Sequence, residues 1–189
     1  MRQGTLLVVL VLLCGCTESE PVTVGPEDRR AVTEALLRKV LAGPPERPLF
    51  RRQADVTSWF SDLESWQSRS ELKPGTVASF VAANEPGTMH GDWLGTLGVG
   101  LVSEADYRAH FGHAGLRDLD AGWESVLRGP PECTVVVTLS APGFSSDGSQ
   151  ALLGMGAGSG SLEGNGGLYL LERQGGGWVV SVALSLWVS

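Results

Sequence analysis

The stretch QALLGMGAGSGSLEGNGGLYLLERQGGGWVVSVALSLWVS, residues 150–189, decides the fold. Its apolar runs, Ala151 to Met155, Leu168 to Leu171 and Trp178 to Val188, are rich in strand-forming residues and bounded by the turn clusters GSGSLEGNGG (158–167) and RQGGG (173–177). Upstream, Val135, Val137 and Leu139 alternate at period two and are followed by the turn SSDG at 145–148. Four strands in succession with short links predict an antiparallel meander.

Before residue 130 the period is helical. Pro26 suits a first helical turn, Glu27 and Asp28 complement its positive end, and Val32, Leu36 and Val40 recur every four residues until Gly43, Pro44 and Pro45 stop the helix. A second helix is expected from Asp55 to Arg69, with Trp59, Leu63 and Trp66 on one face, and a short third from a Thr76 cap to Ala83. Leu97 to Val102 reads as a strand. Ser103 with Asp106 three residues on resembles a capping box, opening a helix with Tyr107 and Phe111 on its apolar side. A last helical turn covers Trp123 to Leu127 and ends at Gly129. Helices first and sheet last predict an α+β fold, N-terminal helices followed by a C-terminal four-stranded antiparallel sheet. The alternative is a cone like the nuclear-transport-factor (NTF2-like) fold, whose curved sheet would enclose an apolar pocket.

The chain begins with Arg2, an apolar run of eight residues from Leu6 to Leu13, and the small-residue exit Cys14-Gly15-Cys16. That is the layout of an export signal, and it is well short of the roughly 20 apolar residues a membrane-spanning helix needs. Leu13-Cys14-Gly15-Cys16 resembles the lipobox of bacterial lipoproteins. The resemblance implies a signal peptide over residues 1–15, cleavage before Cys16, a diacylglyceryl thioether on that cysteine and a further acyl chain, palmitate for example, on its amino group. Two or more chains make anchoring stable where one is marginal. Residues 16–25, polar and containing Pro21, serve as a tether, and residues 26–189 as a single α+β domain. Thr17 stands where an Asp marks inner-membrane retention in Gram-negative lipoproteins, implying an outer-membrane address in the cell envelope. The alternative is a soluble secreted or periplasmic protein. With Cys14 removed and Cys16 lipidated, Cys133 has no partner within the chain.

Residues 123–189, with the preceding Gly122, resemble the C-terminal part of a family of uncharacterised bacterial exported proteins. The matching features are Pro142-Gly143-Phe144, Asp147, Gln150-Ala151-Leu152, Tyr169-Leu170-Leu171-Glu172, Gly177-Trp178-Val179-Val180 and the ending Trp187-Val188-Ser189. Members carry a cysteine pair in the glycine-rich loop where this chain has Ser159 and Glu163, so no shared loop disulfide is implied. No activity is attached to the family, and none is carried over.

Composition is that of a globular domain: 189 residues, 42% hydrophobic, 19% charged, net charge −7. The scattered basic residues give no phosphate-binding stripe, which argues against nucleic acid. Asp106, His110 and His113 recur at spacings of four and three, as metal ligands on a helix would, but Gly112 weakens that helix, and neither His90 nor an HExxH spacing completes a set. A solvated helix end is the simpler reading, and no metal is expected. Ser70 and Lys73 match SxxK, yet Pro74 disfavours the helix that serine needs and no SDN or KTG follows. GMGAGSGSLEGNGG (154–167) joins two strands and fits neither GxGxxG nor a GK[ST] ending, so no nucleotide cofactor is expected. Trp59 and Trp66, at helical spacing with Leu63 between them, read as core before they read as a glycan-stacking face. Glu163, a carboxylate in the glycine-rich loop, is a candidate ligand contact without an identified partner. The expected protein is a lipid-anchored envelope module that binds or supports without catalysis. The alternative is a hydrolase-like envelope enzyme whose site no linear motif reveals.

Overall fold

A computed structural model describes residues 23–40, 48–51, 63, 66, 69–85, 92–97, 99–112, 118–129 and 133–188. Over these the chain is mixed α/β, with a mostly antiparallel sheet of seven strands and four α-helices. The helices are α1 (Pro26–Val40), α2 (Thr76–Ala83), α3 (Glu104–Gly112) and α4 (Leu119–Arg128), with a 3₁₀ turn at Asp92–Leu97. The strands are β1 (Pro48–Arg51), β2 (Gly100–Val102), β3 (Val135–Leu139), β4 (Gly143–Phe144), β5 (Gln150–Gly160), β6 (Glu163–Gln174) and β7 (Gly177–Val188). The open sheet runs β2-β1-β3-β5-β6-β7, with β4 paired to β5.

The predicted meander is present as β3, β5, β6 and β7, each antiparallel to the next. The expected four-stranded sheet is too small, because the N-terminal half contributes β1 and β2, which run parallel to each other and, through β1, to β3. Leu49 and Phe50 of β1 are both buried, on opposite faces of the sheet. A four-residue strand covered on both sides has no polar alternation to betray it.

The glycine-rich segment also differs from the expected loop. It is strand almost to its tip, with β5 continuing to Gly160, β6 starting at Glu163, and only Ser161 and Leu162 in the turn. These glycines sit beneath large side chains, as described below. Turns do form where SSDG and RQGGG predict them. Gly148, Gly175 and Gly176 adopt positive φ there, a region open to glycine at little cost.

Each face of the sheet carries its own layer. Val32 and Leu36 of α1 and Leu94 of the 3₁₀ turn pack on Phe50, Val137, Leu139, Ala151, Leu153, Met155 and Leu171. On the opposite face Phe80 and Val77 of α2, with Leu63 and Trp66, cover Leu152, Leu168 and Leu170. Beside them Val126 of α4, Cys133 and the partly buried Tyr107, Phe111 and Trp123 cover Leu49 and Val136. Each fully buried Leu, Phe or Met contributes roughly 1.5–3 kcal/mol, so the two faces share the stabilisation. Leu63 and Trp66 are helical and buried, as the helix predicted over Asp55–Arg69 requires; most of that segment, Trp59 included, lies outside the described residues.

Local signals account for the helix ends. Ser103 Oγ accepts from Asp106 N at 3.0 Å and donates to the Asp106 carboxylate at 2.6 Å, so the capping motif forms. Asp118 caps α4 by accepting from Ala121 N at 3.0 Å. Thr76 does not cap α2. That place belongs to Gly75, at φ 84, while Thr76 is buried and donates to Lys73 O. The strand expected over Leu97–Val102 begins only at Gly100, Leu97 belonging to the 3₁₀ turn.

Two amides join α2 to the sheet. Asn84 donates to Phe80 O and Ala141 O and accepts from Ala141 N, all within 2.8 Å. Gln150, fully buried, accepts from Lys73 N and Thr76 Oγ1 and donates to Glu71 O and Glu172. Buried amides satisfied in this way define one register for the helix on the sheet.

Candidate functional site

The β5–β6 hairpin leaves a floor with almost no side chains on the face that carries α3 and α4. Gly158 and Gly164 pair directly across the two strands. A Cβ on Gly158 would lie 2.9 Å from Cη2 of Trp123, delivered by α4, and one on Gly164 would lie 2.9 Å from Cζ3 of Trp187, near the end of β7. At Gly166, two residues on, a Cβ would overlap the Nε1 side of the same Trp187 ring. The Trp187 indole therefore lies along β6 with one face on the glycine backbone. The register shift of β7 between Gly166 and Gly167 brings it there, and the residue stays 39% exposed.

Between and beyond these indoles is a cleft of about 370 Å³, within the usual range for small-molecule sites. Val136 and Thr138 of β3, Arg51 at the end of β1, Tyr107 of α3, and Ser161 and Glu163 at the hairpin tip complete its wall. A second concavity of about 420 Å³ continues past Trp123 toward Asp120 and Glu124, sharing Trp123, Gly160, Ser161 and Glu163 with the first.

The polar groups of the cleft are mostly engaged. Arg51 donates to one Glu104 oxygen through Nε at 3.1 Å and Nη2 at 2.6 Å, and its guanidinium stands 4.2 Å from the Tyr107 ring centroid. Both partners of that ion pair are more than four-fifths buried, so the pair is shielded from screening salt. Burial pushes the Tyr107 hydroxyl above its ordinary pKa; the Arg51 charge offsets part of that rise and Glu104 adds to it. Trp123 meets Phe111 edge-on at 5.6 Å, and Phe111 meets Tyr107 at 5.1 Å, so an aromatic row backs the cleft. Glu163 accepts from Ser159 at 3.1 Å, and Asp120 accepts from Ser161.

Of the residues predicted from sequence, Glu163 lines this cleft. His110 does not; it shares a 2.8 Å hydrogen bond with Ser125, and Asp106 serves the helix cap. His90, His113 and Cys16 lie outside the described residues, among which no group of three His, Cys, Asp or Glu side chains is placed to hold a metal. Lys73 pairs with Asp147 at 3.0 Å and donates to Ser149, leaving the Ser70–Lys73 pattern without a shared site. Trp66 is 1% exposed and belongs to the core. Cys133 is a free, buried thiol whose pKa is raised by desolvation.

Sequence reasoning missed Arg51, Tyr107, Trp123 and Trp187 as neighbours. The available signal was glycine at alternate positions, 156, 158 and 160, then 164 and 166, continuing strand-like runs. Glycine inside a strand marks close approach of another group as often as a turn. No protein-family model, curated protein or solved structure matches the chain.

Proposed function

We infer that this chain is a lipid-anchored cell-envelope protein, held by acyl groups on Cys16 at the outer membrane, whose domain binds a small ligand in the cleft between α4 and the β5–β6 hairpin. The anchoring rests on Leu13-Cys14-Gly15-Cys16 and the short apolar run before it. No described helix is long and apolar enough to cross a membrane. The binding role rests on one observation above the others: the Trp187 indole laid over Gly164 and Gly166 beside a preformed cleft, with 39% of the residue still exposed. Aromatic surface beside a concavity into which polar side chains converge is the ordinary form of a small-molecule site.

The second reading, a hydrolase-like enzyme, draws on Ser161, whose hydroxyl donates to Asp120 at the rim of the cleft. A serine nucleophile needs a base such as histidine or lysine. The described histidine, His110, is paired with Ser125 instead, which favours binding. The cone alternative would have placed an apolar pocket inside a curved sheet; the cleft lies on one face and mixes indoles with the charged Arg51 and Glu163.

Two experiments test the proposal. Mass spectrometry of the mature terminus is expected to show acylated Cys16, and Cys16→Ala is expected to move the protein to the soluble fraction. A thermal-shift screen with a broad small-molecule library is expected to yield stabilising compounds whose effect is lost in Trp187→Ala. An unmodified terminus elsewhere contradicts the anchor, and a screen with no Trp187-dependent compound contradicts the binding role.

A further inference from the structure

We propose that the cleft takes a neutral saccharide, with a pyranose ring stacked on the free face of Trp187 and the chain continuing past Trp123 along the hairpin tip. The inference rests on the binding role above and adds the class of ligand. Three observations carry it.

The first is the pair of indoles. An indole held flat by a glycine floor offers a rigid apolar plane, and the C–H face of a pyranose is the apolar side of an otherwise polar molecule. Stacking on such a plane covers both surfaces while the sugar hydroxyls stay at the edge of the ring.

The second is charge. Arg51 lines the cleft but is held by Glu104 and Tyr107. Along the second concavity Arg128 is paired with Glu124 at 2.8 Å. Glu163 at the shared rim and Asp120 in the second concavity have only serine hydroxyls among their described hydrogen-bond partners. An anionic ligand would meet these two carboxylates, and among the described residues the arginines lining the two concavities are already paired. A cationic ligand would be drawn to these carboxylates, but the Tyr107 face that could stack on it is already taken by the Arg51 guanidinium. A neutral polyol needs neither a free cation nor an open Tyr107 face, and its hydroxyls can donate to the Glu163 and Asp120 carboxylates.

The third is length. The two concavities share Trp123, Gly160, Ser161 and Glu163, so they adjoin at the tip and together offer space for more than one ring.

The test uses the full-length chain in a sugar-free detergent, titrated with maltose, cellobiose and N,N′-diacetylchitobiose and followed by calorimetry. Tetramethylammonium and decanoate serve as cationic and anionic comparison probes. At least one disaccharide is expected to bind, with affinity reduced roughly tenfold or more by Trp187→Ala, the loss of one stacked aromatic contact. Glu163→Gln is expected to weaken the same sugar by a smaller factor. Trp187 lies outside the three buried clusters, and an unchanged far-ultraviolet dichroism spectrum verifies that Trp187→Ala keeps the fold. Binding of none of the disaccharides overturns the assignment, as does sugar binding that Trp187→Ala does not weaken. Trp187-dependent binding of tetramethylammonium or decanoate in place of sugar overturns the ligand class while leaving the binding module standing. Loss of the module itself would show as a library screen without any Trp187-dependent compound.

Discussion

Trp187 crosses Gly166 so closely that a single methyl group on that glycine would overlap the indole. The contact ties the end of β7 to the start of β6 and turns a chain of glycines into a surface. Gly166→Ala is therefore expected to displace the ring and cost about 1–3 kcal/mol, the usual penalty for overpacking. Urea denaturation measures the cost, and tryptophan emission reports the displaced ring. A stability within a few tenths of a kcal/mol of wild type would contradict the packing described.

Asn84 tests how α2 is fixed to the sheet. Its amide is the side-chain partner of both the N–H and the carbonyl of Ala141, and all these groups are buried. Asn84→Ala leaves backbone polar groups without partners and is expected to cost about 2–4 kcal/mol, since each unsatisfied buried group costs roughly 1–3 kcal/mol. Chemical denaturation with an unchanged slope would locate the loss in the folded state. A loss under about 1 kcal/mol would mean that Ala141 finds other partners.

Asp147 gives a pH-dependent expectation. Hydrogen bonds from the Ser145 hydroxyl, then from the Ser149 hydroxyl and amide, with Lys73 nearby, hold its carboxyl well below the usual carboxylate range. A depressed folded-state pKa stabilises the fold at pH values above the unfolded value of about 3.9, and that contribution fades as pH falls through it toward the folded value. The side chain is 55% exposed, so the contribution is screened to about 1 kcal/mol or less. The stability gap between wild type and Asp147→Asn is expected to be present near pH 7 and to narrow progressively as the pH falls below about 3.9. A gap that stays constant would show that the carboxylate charge plays no part.

Cys133 is 5% exposed, its thiol pKa is raised by burial, and its S–H points to Val126 O at 3.8 Å. Thiolate is the reactive form, so the native protein is expected to label slowly with a thiol reagent at neutral pH and rapidly in denaturant. Equal rates in both conditions would contradict a closed third cluster around Leu49, Val126 and Val136.

Much of the secondary structure was legible because its signals are local. Ser103 with Asp106, Pro26 with the acids after it, and the glycines of the 173–177 turn each act within a few residues of themselves. What escaped is non-local. Leu49 and Phe50 form a strand only because β2 and β3 lie on either side, and nothing in PLFR specifies parallel neighbours far along the chain. The glycines from 156 to 166 resemble a loop until Trp123 and Trp187, from elsewhere in the sequence, take the space above them. Of the site, Glu163 alone stands out in the sequence, as a charge conspicuous among glycines. The indoles were absorbed into a helix and a strand, because which of their faces stays open depends on packing across three elements.

The most direct measurement is a set of indole N–H resonances recorded while one of the disaccharides is added to the folded protein. The Trp187 and Trp123 signals are expected to move together with a common saturation curve, while that of the buried Trp66 stays in place. Signals that all remain still, or a Trp66 shift without one at Trp187, would contradict a ligand site on the glycine floor.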